Sequence, residues 1–243
     1  MISGLYSSAT AIDVATAKHE VIAQNLAHLS VTGYRKNVVV NTTFEAALDE
    51  DQQSSFSRSA LGSGTGSIRK DFAQGPIQST GNRLDVALIG EGFFTVKGET
   101  GPLYTRNGAF QVNGEGLLVT ADGLEVQGTQ GEIRIPPESS VADMVISPSG
   151  EVMFGEQSVG QLQFVQFNEP EKLVVEGATL FSAPADVVPA PAQPKVQQGA
   201  REGANVEPMH ELVNMITAMR QYEAAQRSMS ALASVVERHI DLQ

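Results

Sequence analysis

The composition of this chain already limits what it can be. Its 243 residues include 41% hydrophobic residues, enough for a buried core, and its formal net charge of −12 at pH 7 argues against binding to nucleic acid or anionic lipid, whose phosphates would repel it. The chain contains no cysteine, which excludes disulfides, thiolate metal sites and cysteine nucleophiles.

Residues 1–36 predict an N-terminal helix followed by a stop. Within 2–29, apolar residues recur at multiples of about three and four, as on one face of a helix, at Leu5, Ile12, Ile22, Leu26 and Leu29. Gly33 can take the positive φ that ends a helix, and Tyr34 can fold back onto it. Polar residues interrupt this segment, so a cleaved signal peptide is not expected, and no stretch reaches the roughly eighteen apolar residues of a membrane span.

Residues 37–67 predict an extended segment followed by a flexible loop. The segment begins with valines and threonines, which favour a strand, although residues 44–48 could equally form a helical turn. Serine, glutamine, glycine and aspartate dominate residues 49–67, and such a composition buries too little surface to offset the entropy lost on ordering. We therefore expect a loop or hinge here.

Residues 68–183 predict an antiparallel β domain, because short apolar runs alternate with turn residues. The expected strands are 84–89, 93–97, 103–106, 110–112, 117–120, 124–127, 132–135, 141–146, 151–154 and 160–167. Asn-Gly or Asp-Gly pairs, at 107, 113 and 122, mark tight turns between several of them. Residues 184–204 contain a cluster of prolines and predict a semi-rigid extended connector that leads back to the last segment.

Residues 205–243 predict a second, longer helix, around which the chain is organised. A heptad seam runs through Leu212, Met215, Met219, Tyr222, Gln226, Met229, Ala233, Val236 and Ile240, with Leu232 beside it. Such a wide apolar stripe needs a partner. We expect an α+β fold, in which a mainly antiparallel β domain carries terminal helices that pair as an antiparallel coiled coil. The alternative for each stripe is ordinary core packing within one globule.

No catalytic or metal-binding pattern stands out. The four histidines, at 19, 28, 210 and 239, have no pair at metal-ligand spacing. Glycine-spaced stretches lack the strand-to-helix context of a phosphate site and are better explained as turns. Asp85, Glu91 and Glu99 could supply paired carboxylates, but no companion nucleophile or aromatic platform singles them out. We expect no enzyme activity, no cofactor and no metal.

Three blocks of sequence, in order along the chain, resemble the bacterial flagellar rod and hook proteins. The first, residues 24–35, is similar to the family signature N-N-L-A-N-x-x-T-x-G-F/Y-K/R, with Gln24 and His28 replacing asparagines. The second includes 84–87, 90–94 and 104–110. The third runs from 199 to 223, where Ala204 replaces the serine of E-x-S-N-V and leaves Asn205 to cap the following helix.

The resemblance implies a structural subunit of the flagellar basal-body rod that polymerises through its terminal helices and transmits torque across the periplasm. Its partners would be other rod proteins and copies of itself in a helical assembly, with no nucleic acid, small-molecule substrate or membrane insertion. Export through the flagellum's own type III apparatus would need no cleaved signal peptide. Within the family, the length and residues 205–208 favour the proximal-rod type over the distal-rod type.

The seam and the family motifs together predict an assembly interface at both ends of the chain. Its expected members are Leu5, Ile12, Ile22, Asn25, Leu26, Leu29, Gly33, Tyr34, Asn205, Val206, Leu212, Met215, Met219, Arg220, Tyr222, Glu223, Met229, Leu232 and Val236. The alternative from another class is a secreted β-rich binding or adhesin module that its terminal helices oligomerise. A closed oligomer of that kind would stop growing in mass as concentration rises, whereas an open filament would not.

Overall fold

A computed structural model of the chain describes residues 2–40, 67–136, 141–155 and 157–240, with only the backbone of 2–3 and 236–240. Contacts divide the chain into two compact units. The helical unit comprises Met1–Ala27, Asn37–Asp71 and Val206–Gln243, and the β unit comprises His28–Lys36 and Phe72–Asn205. The loop predicted within 37–67 lies outside the described residues from 41 to 66.

The helical unit contains two helices and a two-stranded ribbon. Helix α1 spans Ile2–Ala27 and contacts helix α2, which spans Pro208–Ile240. Proline fits the first turn of α2 because the N–H that it lacks would have no partner there. Strands β1 (Asn37–Val40) and β2 (Ser67–Lys70) pair antiparallel. Helix α1 ends slightly earlier than predicted, at Ala27, and α2 begins slightly later, at Pro208. Neither described helix is long and apolar enough to cross a bilayer.

The β unit is built from short strands whose described pairings are all antiparallel, as the sequence predicts. The strands are β3 (Ile77–Ser79), β4 (Val86–Ile89), β5 (Phe93–Lys97), β6 (Pro102–Thr105), β7 (Phe110–Val112), β8 (Leu118–Thr120), β9 (Gln127–Gly128), β10 (Gly131–Glu132), β11 (Met144–Ile146), β12 (Glu151–Phe154), β13 (Gln157–Gln161), β14 (Phe164–Gln166), β15 (Val174–Val175), β16 (Leu180–Ser182), β17 (Ala190–Pro191), β18 (Lys195–Gln198) and β19 (Ala200–Glu202). Short 3-10 helices span Val141–Asp143 and Pro170–Lys172.

A six-stranded sheet, in the order β15-β16-β6-β5-β14-β17, forms the largest layer of the β unit. Strands β11, β12 and β13 form a second sheet, and the remaining strands pair as β3 with β19, β4 with β18, β7 with β8 and β9 with β10. Two apolar clusters fill the interior. One centres on Phe94, Leu88 and Met144, and the other on the aromatic rings of Phe93 and Phe181. Strand β5 is buried on both faces, because Phe93 belongs to one cluster and Phe94 to the other.

Residues 184–204, predicted as an extended connector, contribute three strands and four buried apolar residues to the β unit. Strands β17, β18 and β19 pair with β14, β4 and β3, and Val187, Val196, Ala200 and Ala204 are at most 8% exposed. The extended backbone around these prolines therefore pairs with other strands. Pro191 lies in β17 at the edge of the six-stranded sheet, where a strand tolerates a residue without an N–H.

Candidate assembly interface

Helix α2 carries one row of small, buried residues at heptad spacing. Ala218 and Ala225 are 3% and 9% exposed, and Leu232, seven residues further along, is half-buried. A Cβ added at Gly4 of α1 would lie 3.3 Å from Leu232 Cδ1. Because residues seven apart share a face of a helix, Ala218 and Ala225 lie on the face that carries this contact with α1. Their small side chains allow the two backbones to approach closely.

Eight large apolar residues of α2 are exposed on the single chain. We call this set the outer stripe; its members are Met209, Leu212, Val213, Ile216, Met219, Tyr222, Met229 and Val235, between 39% and 71% exposed. Arg220 and Glu223 beside it are also exposed, and Met215 is half-buried. The side chain of Val236 lies outside the described residues.

The residues of the predicted seam differ in exposure on the single chain. Leu212, Met219, Tyr222 and Met229 are 39% to 50% exposed, whereas Glu211 and Ala218, each one residue before a seam position, are buried. Their assignment to an assembly interface stays a prediction.

On α1, most residues of the predicted apolar face are at least half-buried. Ile22 is buried, and Leu5, Ile12 and Leu26 are half-buried, whereas Leu29 lies beyond the end of α1 and is 36% exposed. Four predicted members of the interface therefore share one side of this helix. Leu29 does not extend it.

Asn25 fixes the end of α1 to the start of β1 within the helical unit. Its side chain is buried and bonds both backbone groups of Asn37: Oδ1 accepts from the N–H at 2.8 Å, and Nδ2 donates to the carbonyl oxygen at 2.9 Å. An amide side chain that satisfies both groups of one residue mimics the pairing of two strands. Asn25 thus holds the chain direction after α1, which explains why an asparagine stands within the family signature.

In the β unit, Gly33 and Tyr34 shape the segment that follows α1 in the sequence. Gly33 has φ +73° and donates its N–H to the carbonyl oxygen of Glu202 at 2.7 Å. A Cβ at this position would lie 2.5 Å from the backbone nitrogen of Asn107. Tyr34 is buried and stacks on His28, with ring centroids 4.8 Å apart. Only glycine satisfies both the conformation and the space at position 33.

A buried charge network connects this segment to the return of the chain. The Glu202 carboxylate accepts hydrogen bonds from Arg35 Nη2 at 2.8 Å, Arg106 Nη1 at 3.2 Å and the Gly75 N–H at 2.8 Å. Arg35 and Glu202 are fully buried, and Arg106 is 5% exposed. Burial lowers the pKa of Arg106, an effect that Glu202 opposes. We name Arg35, Glu202 and Arg106 the buried triad.

The sequence prediction missed the role of the buried triad, although all three residues fall within the quoted motifs. The signal that could have found it is the presence of an arginine in each of two motifs and of glutamates in the third, because a buried charge needs an opposite charge. The hydrogen bond from Arg35 to Glu202 joins residues 167 apart in sequence, a separation that local patterns do not reveal.

Asn205 links three segments of the β unit and does not cap α2. Its Oδ1 accepts from the Lys36 N–H at 2.7 Å, and its Nδ2 donates to the Ala73 carbonyl oxygen at 3.0 Å. The predicted cap is wrong, because α2 begins at Pro208, three residues after Asn205. Val206, the next residue, is 7% exposed.

The candidate carboxylates do not converge on a catalytic site. Asp85 is buried and bound by Thr80 Oγ1 at 2.6 Å, by Asn82 Nδ2 at 3.1 Å and by an ion pair with Arg201, so it serves the structure of a turn. Glu91 and Glu99 are exposed. Within the described ranges, no group of three or more histidine, cysteine, aspartate or glutamate residues could hold a metal ion.

Two helices bracket an antiparallel β unit in the sequence, and α2 carries large exposed apolar residues, an arrangement typical of a protein that assembles with others. Comparison with known proteins specifies the class. Residues 87–154 match the family described as flagellar hook protein FlgE/F/G D1 domain, and residues 197–242 match the flagellar basal body rod FlgEFG protein C-terminal family.

Similar proteins cover the whole chain. It is 33% identical over 265 aligned positions to the flagellar basal-body rod protein FlgG of Agrobacterium fabrum, covering 96% of this chain and 97% of the relative. It is 30% identical over 226 positions to FlgF of Caulobacter vibrioides, covering 90% of each, and 27% identical to FlgG of Bacillus subtilis over 267 positions, covering 100% and 99%. The chain belongs to the flagellar rod and hook protein family, which confirms the resemblance and does not favour the adhesin alternative.

Proposed function

We propose that this chain is a structural subunit of the bacterial flagellar basal-body rod, which polymerises through its terminal helices and transmits torque. The observation that carries the proposal is the outer stripe of α2. Large apolar side chains there are 39% to 71% exposed on the single chain. Exposed apolar side chains in this number along one helix are typical of a surface that is buried in an assembly.

We further propose that α1 and α2 pair as an antiparallel coiled coil. The heptad spacing of Ala218, Ala225 and Leu232 supports this pairing, as does the contact of Leu232 with Gly4. Helix α2 continues only to Ile240 beyond Leu232, whereas α1 continues from Gly4 to Ala27. An antiparallel direction is the one that lets α1 follow α2 back towards Pro208.

In this proposal the predicted interface residues divide into two roles. Leu5, Ile12, Ile22, Leu26 and Leu232 hold the two helices together. The outer stripe, together with Arg220 and Glu223, faces neighbouring subunits, which are copies of this chain and other rod proteins. One surface of a subunit then meets a different surface of the next, which is the kind of contact that builds an open helical filament.

Asn25, Gly33, Tyr34, Asn205 and Val206 set the course of the chain next to the helices. Asn25 acts through Asn37, and Asn205 through Lys36 and Ala73. These hydrogen bonds resist shear better than a fully solvated loop would. We infer that a subunit under torque relies on them to keep its terminal segments in place.

Within the rod we propose the proximal position, as for FlgF. The alignment to the Caulobacter FlgF, with 226 positions for 90% of this chain, needs few gaps in it, whereas the alignment to the Agrobacterium FlgG, with 265 positions for 96% of it, needs many more. Family membership supports a location in the basal body. We infer delivery by the flagellum's own type III export apparatus, because the rod lies beyond the inner membrane.

The proposal is tested with two neighbouring, exposed and β-branched residues of α2. Ile216 belongs to the outer stripe and is 53% exposed, whereas Thr217 is exposed and outside the stripe. Ile216→Asp would bury an unpaired carboxylate in the assembly, which costs several kcal/mol. We expect purified basal bodies to lack the Ile216→Asp chain and to contain Thr217→Asp. Equal incorporation of both variants, at wild-type level, would refute the role of the stripe.

A further inference from the structure

The methionines of this chain are concentrated on α2. Four of its seven methionines, at 209, 215, 219 and 229, lie in this helix, and the chain has no cysteine. Met209 is 71% exposed, Met219 50% and Met229 39%, all within the outer stripe, whereas Met144 in the β-unit core is fully buried. The exposed sulfur atoms of the described chain are therefore gathered on the surface assigned to assembly.

Thioethers in this position are open to a specific chemical change. A peroxide transfers one oxygen atom to the sulfur of methionine: the O–O bond breaks, an S–O bond forms, and water is released. Sulfur loses two electrons and the peroxide gains them. The product, methionine sulfoxide, is polar where the thioether was apolar, and sulfoxides are known to disrupt methionine-rich interfaces.

We propose that Met209, Met219 and Met229 form an oxidation-sensitive modification site that controls whether the free subunit can assemble. This inference rests on the proposed function of the outer stripe. In the unassembled subunit, peroxide reaches the three sulfur atoms and converts the stripe into a surface that resists burial, because each S=O group would lose its hydrogen bonds to water. In the assembled subunit the same packing excludes the oxidant.

Differences in exposure should make oxidation selective for the three methionines of this site. Met144 belongs to the apolar cluster of the β unit, with 0% exposure, so oxidant reaches it only when the unit opens. Met215 is half-buried on α2 and should react at an intermediate rate. The change is also reversible, because methionine sulfoxide reductases restore the thioether. A subunit damaged before assembly is then excluded from the filament until it has been repaired.

The test uses the purified full-length chain and basal bodies isolated from cells that lack its gene. The chain is exposed to hydrogen peroxide, the peroxide is removed, and the sulfoxide content of each methionine is measured by mass spectrometry before binding to the basal bodies is measured. We expect sulfoxide at Met209 and Met219 at least about tenfold faster than at Met144. Binding should fall about tenfold and recover after treatment with both stereospecific types of reductase.

Two further arms make the outcome decisive. In a variant carrying Met209→Leu, Met219→Leu and Met229→Leu, the ratio of treated to untreated binding should stay near one, whatever its untreated level. Full binding of wild-type chain that carries the three sulfoxides would overturn this inference while leaving the proposed function intact. Failure of the untreated wild-type chain to bind would instead overturn the proposed function, and this inference with it.

Discussion

Replacement of Glu202 by alanine should destabilise the β unit strongly, because this one carboxylate balances two buried arginines. It accepts hydrogen bonds from Arg35, Arg106 and the Gly75 N–H, at 2.8, 3.2 and 2.8 Å. The side chains of Arg35 and Glu202 are 0% exposed, so water cannot replace the lost bonds. The variant would leave the positive charges of the two guanidinium groups facing each other without an anion between them.

The size of the effect follows from this burial. Removing one partner of a buried ion pair costs roughly 3–5 kcal/mol, because the remaining charge stays desolvated. For a unit of this length each kcal/mol lowers the melting temperature by about 2–4 °C, so we expect a decrease on the order of 10 °C. Glu202→Gln keeps the shape and one acceptor but loses the charge, and its loss of stability should be intermediate.

Thermal and urea unfolding, followed by circular dichroism, measure the effect. The matched control is Lys97→Met, which breaks ion pairs of 2.8 and 2.9 Å to Glu125 and Glu132 on the exposed surface of the same unit; its melting temperature should stay within experimental error of wild type. Arg35→Ala combined with Glu202→Ala should cost less than the sum of the single losses. If Glu202→Ala melts at the wild-type temperature, the buried triad does not stabilise the unit.

Three further predictions concern single contacts. Gly33→Ala should lower the melting temperature more than Gly81→Ala, because both glycines have φ +73° but only at Gly33 would a Cβ meet backbone, 2.5 Å away; equal losses would show that space at position 33 is irrelevant. Burial raises the pKa of Tyr104 above its ordinary value near 10, so its contribution to stability is present below that pH and lost as pH rises through the raised value. Tyr104→Phe should therefore weaken the loss of stability in urea titrations above pH 10, and an unchanged alkaline slope would contradict this. Cysteines at Gly4 and Leu232 should form a disulfide in this cysteine-free chain, whereas cysteines at positions 4 and 212 should not; the reverse result would contradict the antiparallel direction.

The strands of the β unit were the most predictable part of the fold. Strands β5, β7 and β12 have the predicted bounds, because alternating apolar residues and flanking turn residues act over a few positions. The sequence also predicted both helices. The sequence did not predict strands β17, β18 and β19. Strands of two to four residues beside prolines show no periodic pattern, and they depend on partners far along the chain.

The assembly interface stays a prediction, but the structure shows which residues of α2 are buried in the single chain. Apolar periodicity predicted the helix, whereas the most buried positions on the face that carries the contact with α1 are the small residues Ala218 and Ala225. Side-chain size determines how closely two helices approach. A pattern that counts only large apolar residues therefore overlooks the small residues at which the helices are closest. The buried triad was not predicted for another reason. Its members are far apart in the sequence and come together only in the folded chain.

The central claim, that this chain is a structural subunit of the rod, is tested most directly by deleting its gene and imaging purified basal bodies by electron cryomicroscopy. The account predicts basal bodies that stop at an incomplete rod, with no hook, and full-length rods after the gene is restored. Complete rods and hooks of wild-type length in the deletion strain would contradict it.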